Sequence, residues 1–183
     1  MSHDPAQVYQ PEADTFLLLR AALAEVRPSD RVLEIGTGSG HIARHLSPVA
    51  EVVATDINPH AACCARGYGV EVVRTDLAAG IRGPFDLILF NPPYLPTLPE
   101  ERIDDWLEYA LDGGITGREV IERFAAEAGR ILAPKGGILL LISSLTGLPE
   151  TSAIFKKSGF RVFIVAEESL EDEQLYVLRI TRD

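Results

Sequence analysis

Short apolar bursts alternate along this chain with stretches in which apolar positions recur every three or four residues. The bursts at Arg31–Ile35, Glu51–Asp56, Val70–Thr75, Phe85–Phe90 and Gly137–Ile142 have strand length and are rich in Val, Leu and Ile. Near-continuous runs of that kind suit parallel strands covered on both faces. Helical spacing fills the intervals: Glu12 to Val26, with Phe16, Leu17, Leu19 and Ala22 among its apolar positions, then His41 to Leu46, a helix opened by Asn58-Pro59, one around Ile103 to Leu111, and Arg118 to Leu132. Asn58 is a good cap and Pro59 a good first-turn residue. The alternation predicts an α/β fold on a parallel sheet. After a short helix come strands Phe160–Val165 and Gln174–Thr181, close enough in sequence to form an antiparallel hairpin around an acidic turn.

The strand ends carry the candidate chemistry. Gly36-Thr37-Gly38-Ser39-Gly40 links the first strand to a helix, where glycine permits a sharp turn and a close approach to a ligand. Asp56 ends the second strand, about 20 residues beyond the first glycine, where a carboxylate can accept from ribose hydroxyls. Asp76 closes the third strand. Ligands of open parallel sheets bind outside the carboxyl ends of the strands, so these features converge on one crevice. Taken singly, a glycine run is a tight turn and a strand-end aspartate is a helix cap. Together they point to a nucleoside cofactor. The spacing is G-x-G-x-G rather than the G-x-G-x-x-G of nicotinamide enzymes, and Glu34 stands just before it. A carboxylate there suits the cationic end of an amino-acid-bearing nucleoside better than a pyrophosphate.

Asn91-Pro92-Pro93-Tyr94, at the end of the fourth strand, is the most specific feature in the sequence. Two prolines fix the backbone and remove two donors, so the turn offers carbonyl acceptors, and the Asn91 side-chain oxygen adds another. Acceptors converging on one NH2 group hold it and select against a hydroxyl or thiol. Tyr94 offers a flat face on which an amide or base can stack. An amide nitrogen is a poor nucleophile, so in-line placement against an activated methyl and acceptors on its protons would do the catalytic work.

Composition narrows the setting. The 183 residues, 46% hydrophobic and 24% charged, have room for one domain with a core. A formal net charge of -10 argues against a nonspecific grip on nucleic acid. No apolar run approaches the roughly 20 residues needed to span a bilayer. The two cysteines, Cys63 and Cys64, are adjacent and leave no disulfide frame or metal site, which suits a reducing cytosol.

Val32 through Gly40, Asp56, Asp76 and Asn91 through Tyr94 together resemble the class I S-adenosylmethionine-dependent methyltransferases with an NPPY motif. Tyr9-Gln10-Pro11 with Asp14-Thr15-Phe16, Ala110 through Gly114 with Gly117-Arg118, and Ser143 through Gly147 make the chain similar to the archaeal and eukaryotic HemK-like branch of release-factor glutamine methyltransferases. The resemblance implies a Rossmann-like fold: a mostly parallel seven-stranded sheet, helices on both faces and a C-terminal antiparallel hairpin. It implies one methyltransferase domain over 1–183, with segment 1–28 capping the cofactor site. It implies that Thr15, Glu34, Gly36, Gly38, Gly40, Asp56, Asp76, Leu77 and Asn91 line the S-adenosylmethionine pocket. Asn91, Pro92, Pro93 and Tyr94 would hold the target nitrogen, with Asn91, Pro92 and Tyr94 carrying the catalysis. The implied substrate is the glutamine of the Gly-Gly-Gln loop in a class I translation release factor, and the implied partner is a small zinc-binding activator at a sheet edge, for which Val70–Val73 is the candidate.

An exocyclic amino group of RNA or DNA, a protein lysine, and a non-catalytic cofactor-binding subunit are the alternatives. Glu100, Glu101, Asp104 and Asp105, just after the motif, lean against a phosphate backbone. His41 and His45 read as a solvated helix face, Trp106 as a core residue or part of the substrate mouth, and Asp112 through Gly117 as a loop able to close over substrate or a plain turn.

Overall fold

The computed structural model describes residues 4–102 and 105–183. The described residues form five α-helices and seven strands, in the order α1 (Ala13–Glu25), β1 (Arg31–Ile35), α2 (His41–Leu46), β2 (Glu51–Asp56), α3 (Pro59–Gly67), β3 (Glu71–Arg74), β4 (Phe85–Phe90), α4 (Glu119–Ile131), β5 (Leu132–Ser143), α5 (Leu148–Lys157), β6 (Phe160–Ser169) and β7 (Gln174–Arg182). The strands form one sheet in the order β3-β2-β1-β4-β5-β7-β6. β1 through β5 run parallel, and β7 enters antiparallel between β5 and β6. This is the seven-stranded, hairpin-ended sheet that the resemblance implies.

The two-residue period of a strand sends alternate side chains to opposite faces, and both faces are buried. Val32, Leu87, Leu89, Leu139 and Leu141 join the apolar cluster under α1, α2 and α3. Leu33, Ile35, Ile88, Phe90, Ile138, Leu140 and Ile142 join the cluster under α4 and α5. Strand order reverses between β1 and β4, and the crevice at that reversal is where an open α/β sheet binds its ligand. Among the described residues no helix is long and apolar enough to cross a membrane.

Three expectations change. The helix around Ile103–Leu111 is not formed: among its described residues there is one 3-10 turn, Glu108–Ala110, and Ile103 and Asp104 lie outside the described residues. The chain there turns its backbone groups outward to a neighbour. Leu95 donates to the Leu111 carbonyl and Gly113 donates to the Leu95 carbonyl, so this segment braces the exit of the Asn-Pro-Pro-Tyr turn. β5 begins at Leu132, directly after α4, because Leu132 pairs with Phe85 and its carbonyl accepts from Arg182. β6 continues to Ser169, since Glu167 and Glu168 pair with Tyr176 and Leu175; the acidic turn is shorter than the sequence suggests.

Candidate active site

A cavity of about 620 Å³ opens at the carboxyl ends of the parallel strands. Thr15, Glu34, Gly36, Gly38, Asp56, Asp76, Leu77, Asn91, Pro92, Pro93 and Tyr94 all line it. Gly40 does not. A Cβ on Gly40 would meet the Cβ of Ala65 at 2.8 Å, so this glycine lets α2 start hard against α3 instead of touching a ligand.

The glycine loop is held from both sides. Thr37 donates its N–H to the Thr55 carbonyl, and Gly38 donates its N–H to Asp56 Oδ2 at 2.8 Å. The other oxygen of Asp56 accepts from the Asn58 N–H, also at 2.8 Å. Burial pushes the Asp56 carboxyl up, against the pull of these backbone donors. Glu34 is 4% exposed, and one of its oxygens accepts from the Thr37 hydroxyl and from the N–H of Ala43, the third residue of α2. Since Gly40 has no side chain to cap α2, Glu34 does so from the neighbouring strand. Burial pushes its carboxyl up to about 8, opposed by those two hydrogen bonds. The carboxyl that reads in the sequence as a counter-charge for a ligand is thus held toward its neutral form and engaged in building the loop, while still lining the cavity.

At the far end of the cavity Asp76 pairs with Arg123, and Leu77 takes a positive φ of 48°. Leucine rarely adopts that conformation, and such backbone strain gathers where a chain must present a group to a ligand.

The opposite end of the cavity is built around Asn91. Its Nδ2 donates to Asp14 Oδ2 at 3.0 Å, and its Oδ1 is buried with no partner among the described residues. Tyr9 donates its hydroxyl to the same Asp14 oxygen at 2.9 Å. Thr15 donates both its N–H and its hydroxyl to the other oxygen. Tyr94 stands beside this group; burial, then the charges of Asp14, Glu173 and Glu12, push its hydroxyl up, which keeps it protonated.

The wall facing the strands gives Asn58 more than the capping role read from the sequence, and decides between the two readings of Trp106. Asn58 donates from Nδ2 to the Gln7 and Trp106 carbonyls and accepts the His60 N–H on its oxygen, capping α3. Trp106 belongs to neither apolar cluster: it lines the cavity, 5.3 Å from the ring of Tyr109, with Arg74 over its face. Glu108 also lines the cavity, with one carboxylate oxygen buried and unpartnered among the described residues. Gly113 through Gly117 is a brace: Thr97 donates to Gly114, Glu119 donates to Gly113, and a Cβ on Gly117 would strike the Tyr94 carbonyl at 2.5 Å. His41 and His45 contact each other, and the described residues contain no group of three or more His, Cys, Asp or Glu able to hold a metal ion.

Comparison with known proteins agrees with this geometry. Residues 11–103 match the family model described as the methyltransferase small domain. The chain is 41% identical to a protein of Methanocaldococcus jannaschii named "Putative protein N5-glutamine methyltransferase MJ0928", covering 96% of this chain and 92% of that one. It is 37% identical to the methyltransferase HEMK2 of Homo sapiens, over 97% of this chain and 91% of that one. Among solved structures, the E. cuniculi Mtq2-Trm112 complex, described as methylating the eRF1 translation termination factor, superposes with a TM-score of 0.81 at 30% identity, over 97% of this chain and 99% of the matched one. The chain belongs to the methyltransferase small domain family, in its HemK-like, S-adenosylmethionine-dependent branch.

Proposed function

We propose that this protein methylates the side-chain amide of the glutamine in the Gly-Gly-Gln loop of a class I translation release factor. The observation that carries the reading is the buried Oδ1 of Asn91, an acceptor left unpartnered among the described residues at the end of a cavity that also holds a ribose-type carboxylate. A primary amide brings two N–H donors, which a hydroxyl or thiol lacks. Relatives that match nearly the whole chain are named for glutamine methylation or described as methylating a termination factor.

The residues present fit S-adenosylmethionine. The cavity has the size of a typical small-molecule site. Asp56 faces it with carboxylate lone pairs to spare, and Gly36 and Gly38 line it with positive φ and no side chain. We assign Asp56 to the ribose hydroxyls, Asp76 and Leu77 to the base, and Thr15, Glu34 and the glycine loop to the amino-acid end. Bound there, S-adenosylmethionine would supply a methyl activated by its sulfonium, with a neutral thioether as the leaving group. Asn91 Oδ1 and the Pro92 carbonyl hold the two amide protons and stabilise the positive charge that grows on the nitrogen. Tyr94 stacks on the amide plane and excludes water. No residue here is assigned as a base: one of the held protons would pass to solvent as the product leaves the site.

Glu12, Asp14 and Glu173 around Tyr94, with the exposed Glu100 and Glu101 in the segment that follows the motif, favour a basic protein loop over a phosphate backbone. We also infer that a small zinc-binding activator protein covers β3. Among the described residues that strand pairs only with β2, and its outward Val73 is 39% exposed, a liability on an open edge. The reading sets the work in the cytosol, where release factors act.

Labelled methyl transfer to a release factor, with and without such an activator, tests this. Label should appear on the native Gly-Gly-Gln loop and not on a Gln→Ala control. Asn91→Ala should lower turnover by at least ~100-fold while leaving donor affinity within a few-fold. Label on bulk RNA alone would overturn the glutamine reading.

A further inference from the structure

Resting on that reading, we propose that Asp14 is a positioning residue of the methyl transfer: its carboxylate holds the Asn91 amide in the one orientation that shows the target nitrogen an acceptor rather than a donor.

The two ends of an asparagine amide have nearly the same size and opposite hydrogen-bonding roles, so shape alone cannot choose between them. In this site the choice falls to Asp14. Four donors meet its two oxygens: the Asn91 amide and the Tyr9 hydroxyl on Oδ2, the Thr15 N–H and hydroxyl on Oδ1. A reversed amide would set Asn91 Oδ1 against a carboxylate oxygen in a site where Asp14 is 4% exposed, an acceptor facing an acceptor at low local dielectric. It would also present an NH2 to the substrate's own NH2. Tyr9 cannot relieve the conflict, because burial and the neighbouring Asp14 push its hydroxyl up and keep it a donor. Asp14 sits in the first turn of α1, where a carboxylate is also favourable to the helix itself. The experiment has to separate the two roles.

Asp14→Asn keeps the shape and the Thr15 contacts but replaces Oδ2 with an NH2. Asn91 then turns over to accept from it and offers its own NH2 to the target. Asn91→Asp sets two carboxylate oxygens against each other. The double variant Asp14→Asn with Asn91→Asp restores one donor and one acceptor between the pair, and leaves an oxygen of the carboxylate at position 91 facing the target nitrogen. Turnover is measured on the release-factor loop and scaled to the fraction of each variant that binds donor in calorimetry, so lost folding is not counted as lost catalysis. Each single variant should fall by at least ~100-fold in kcat with donor Kd within about threefold, and the double should recover at least ~10-fold over either single. A role confined to α1 predicts no recovery, because both positions have changed. Asp14→Asn within about threefold of wild type, or a double variant no faster than the better single, would overturn the positioning role. The underlying reading fails differently: a wild type that labels no Gly-Gly-Gln loop overturns both.

Discussion

Glu34 shows how one side chain can serve the fold while straining it. Its carboxylate has two donors on one oxygen, yet burial outweighs them and lifts it from the usual 4.5 to about 8. Between those values the folded protein holds a proton that the unfolded chain releases, so stability from this group is full below about 4.5 and is lost as pH rises through about 8. Glu34→Gln can still accept from Thr37 and Ala43 but cannot ionise. Scanning calorimetry should show wild type losing stability relative to this variant between about pH 5 and about pH 8.5, by a few kcal/mol. Parallel pH profiles would show that the buried carboxyl is not held neutral. The sequence made Glu34's place beside the glycine loop legible, but not its job as a cap. That depends on Gly40 lacking a side chain and on the depth at which α2 meets β1, neither of which a motif records. The long-range contacts of Asp14 and Asn58 were hidden for the same reason: their partners are remote in sequence, Asn91 for one and Gln7 and Trp106 for the other.

Elements were legible where hydrophobic period and length agreed. β1, β2 and β4 carry runs that only a strand buried on both faces explains, and Asn58-Pro59 opens α3 as its chemistry requires. The stretch around Ile103–Leu111 misleads because its apolar residues mimic a helical spacing, while the described backbone on either side, at Leu95 and from Leu107 to Gly117, is bonded elsewhere. That commitment makes Gly117 sensitive. Its φ is +68°, and an added Cβ would collide with the Tyr94 carbonyl. Gly117→Ala should cost about 2–4 kcal/mol, or a fall in Tm on the order of 5–15 °C, and lower turnover by displacing the Tyr94 turn. Gly129, inside α4 with open space around its Cα, is the contrasting control: Gly129→Ala should raise stability by about 0.5–1 kcal/mol and leave turnover alone. Equal effects at both positions in thermal melts would refute the brace.

At the scale of the whole molecule, the net charge of -10, with exposed Glu100 and Glu101 just after the motif, acts as a field rather than as single contacts. A basic substrate loop approaching the cavity should be drawn in at low salt and screened at high salt. Raising ionic strength from about 50 mM to about 500 mM should increase KM for the release factor several-fold and leave kcat nearly unchanged; a KM indifferent to salt in steady-state assays would remove electrostatic attraction from the account. The cavity itself draws on distant parts of the chain, from Tyr9 to Arg123, and Asn58 is where three of them meet. Helix-capping preference treats Asn, Asp and Ser as near equals. That exchange is closed at position 58: Asp has no hydrogen to give, and Ser has one where two carbonyls wait. A substitution that any table of helix caps would score as silent would here leave the roof of the cavity untied from its floor.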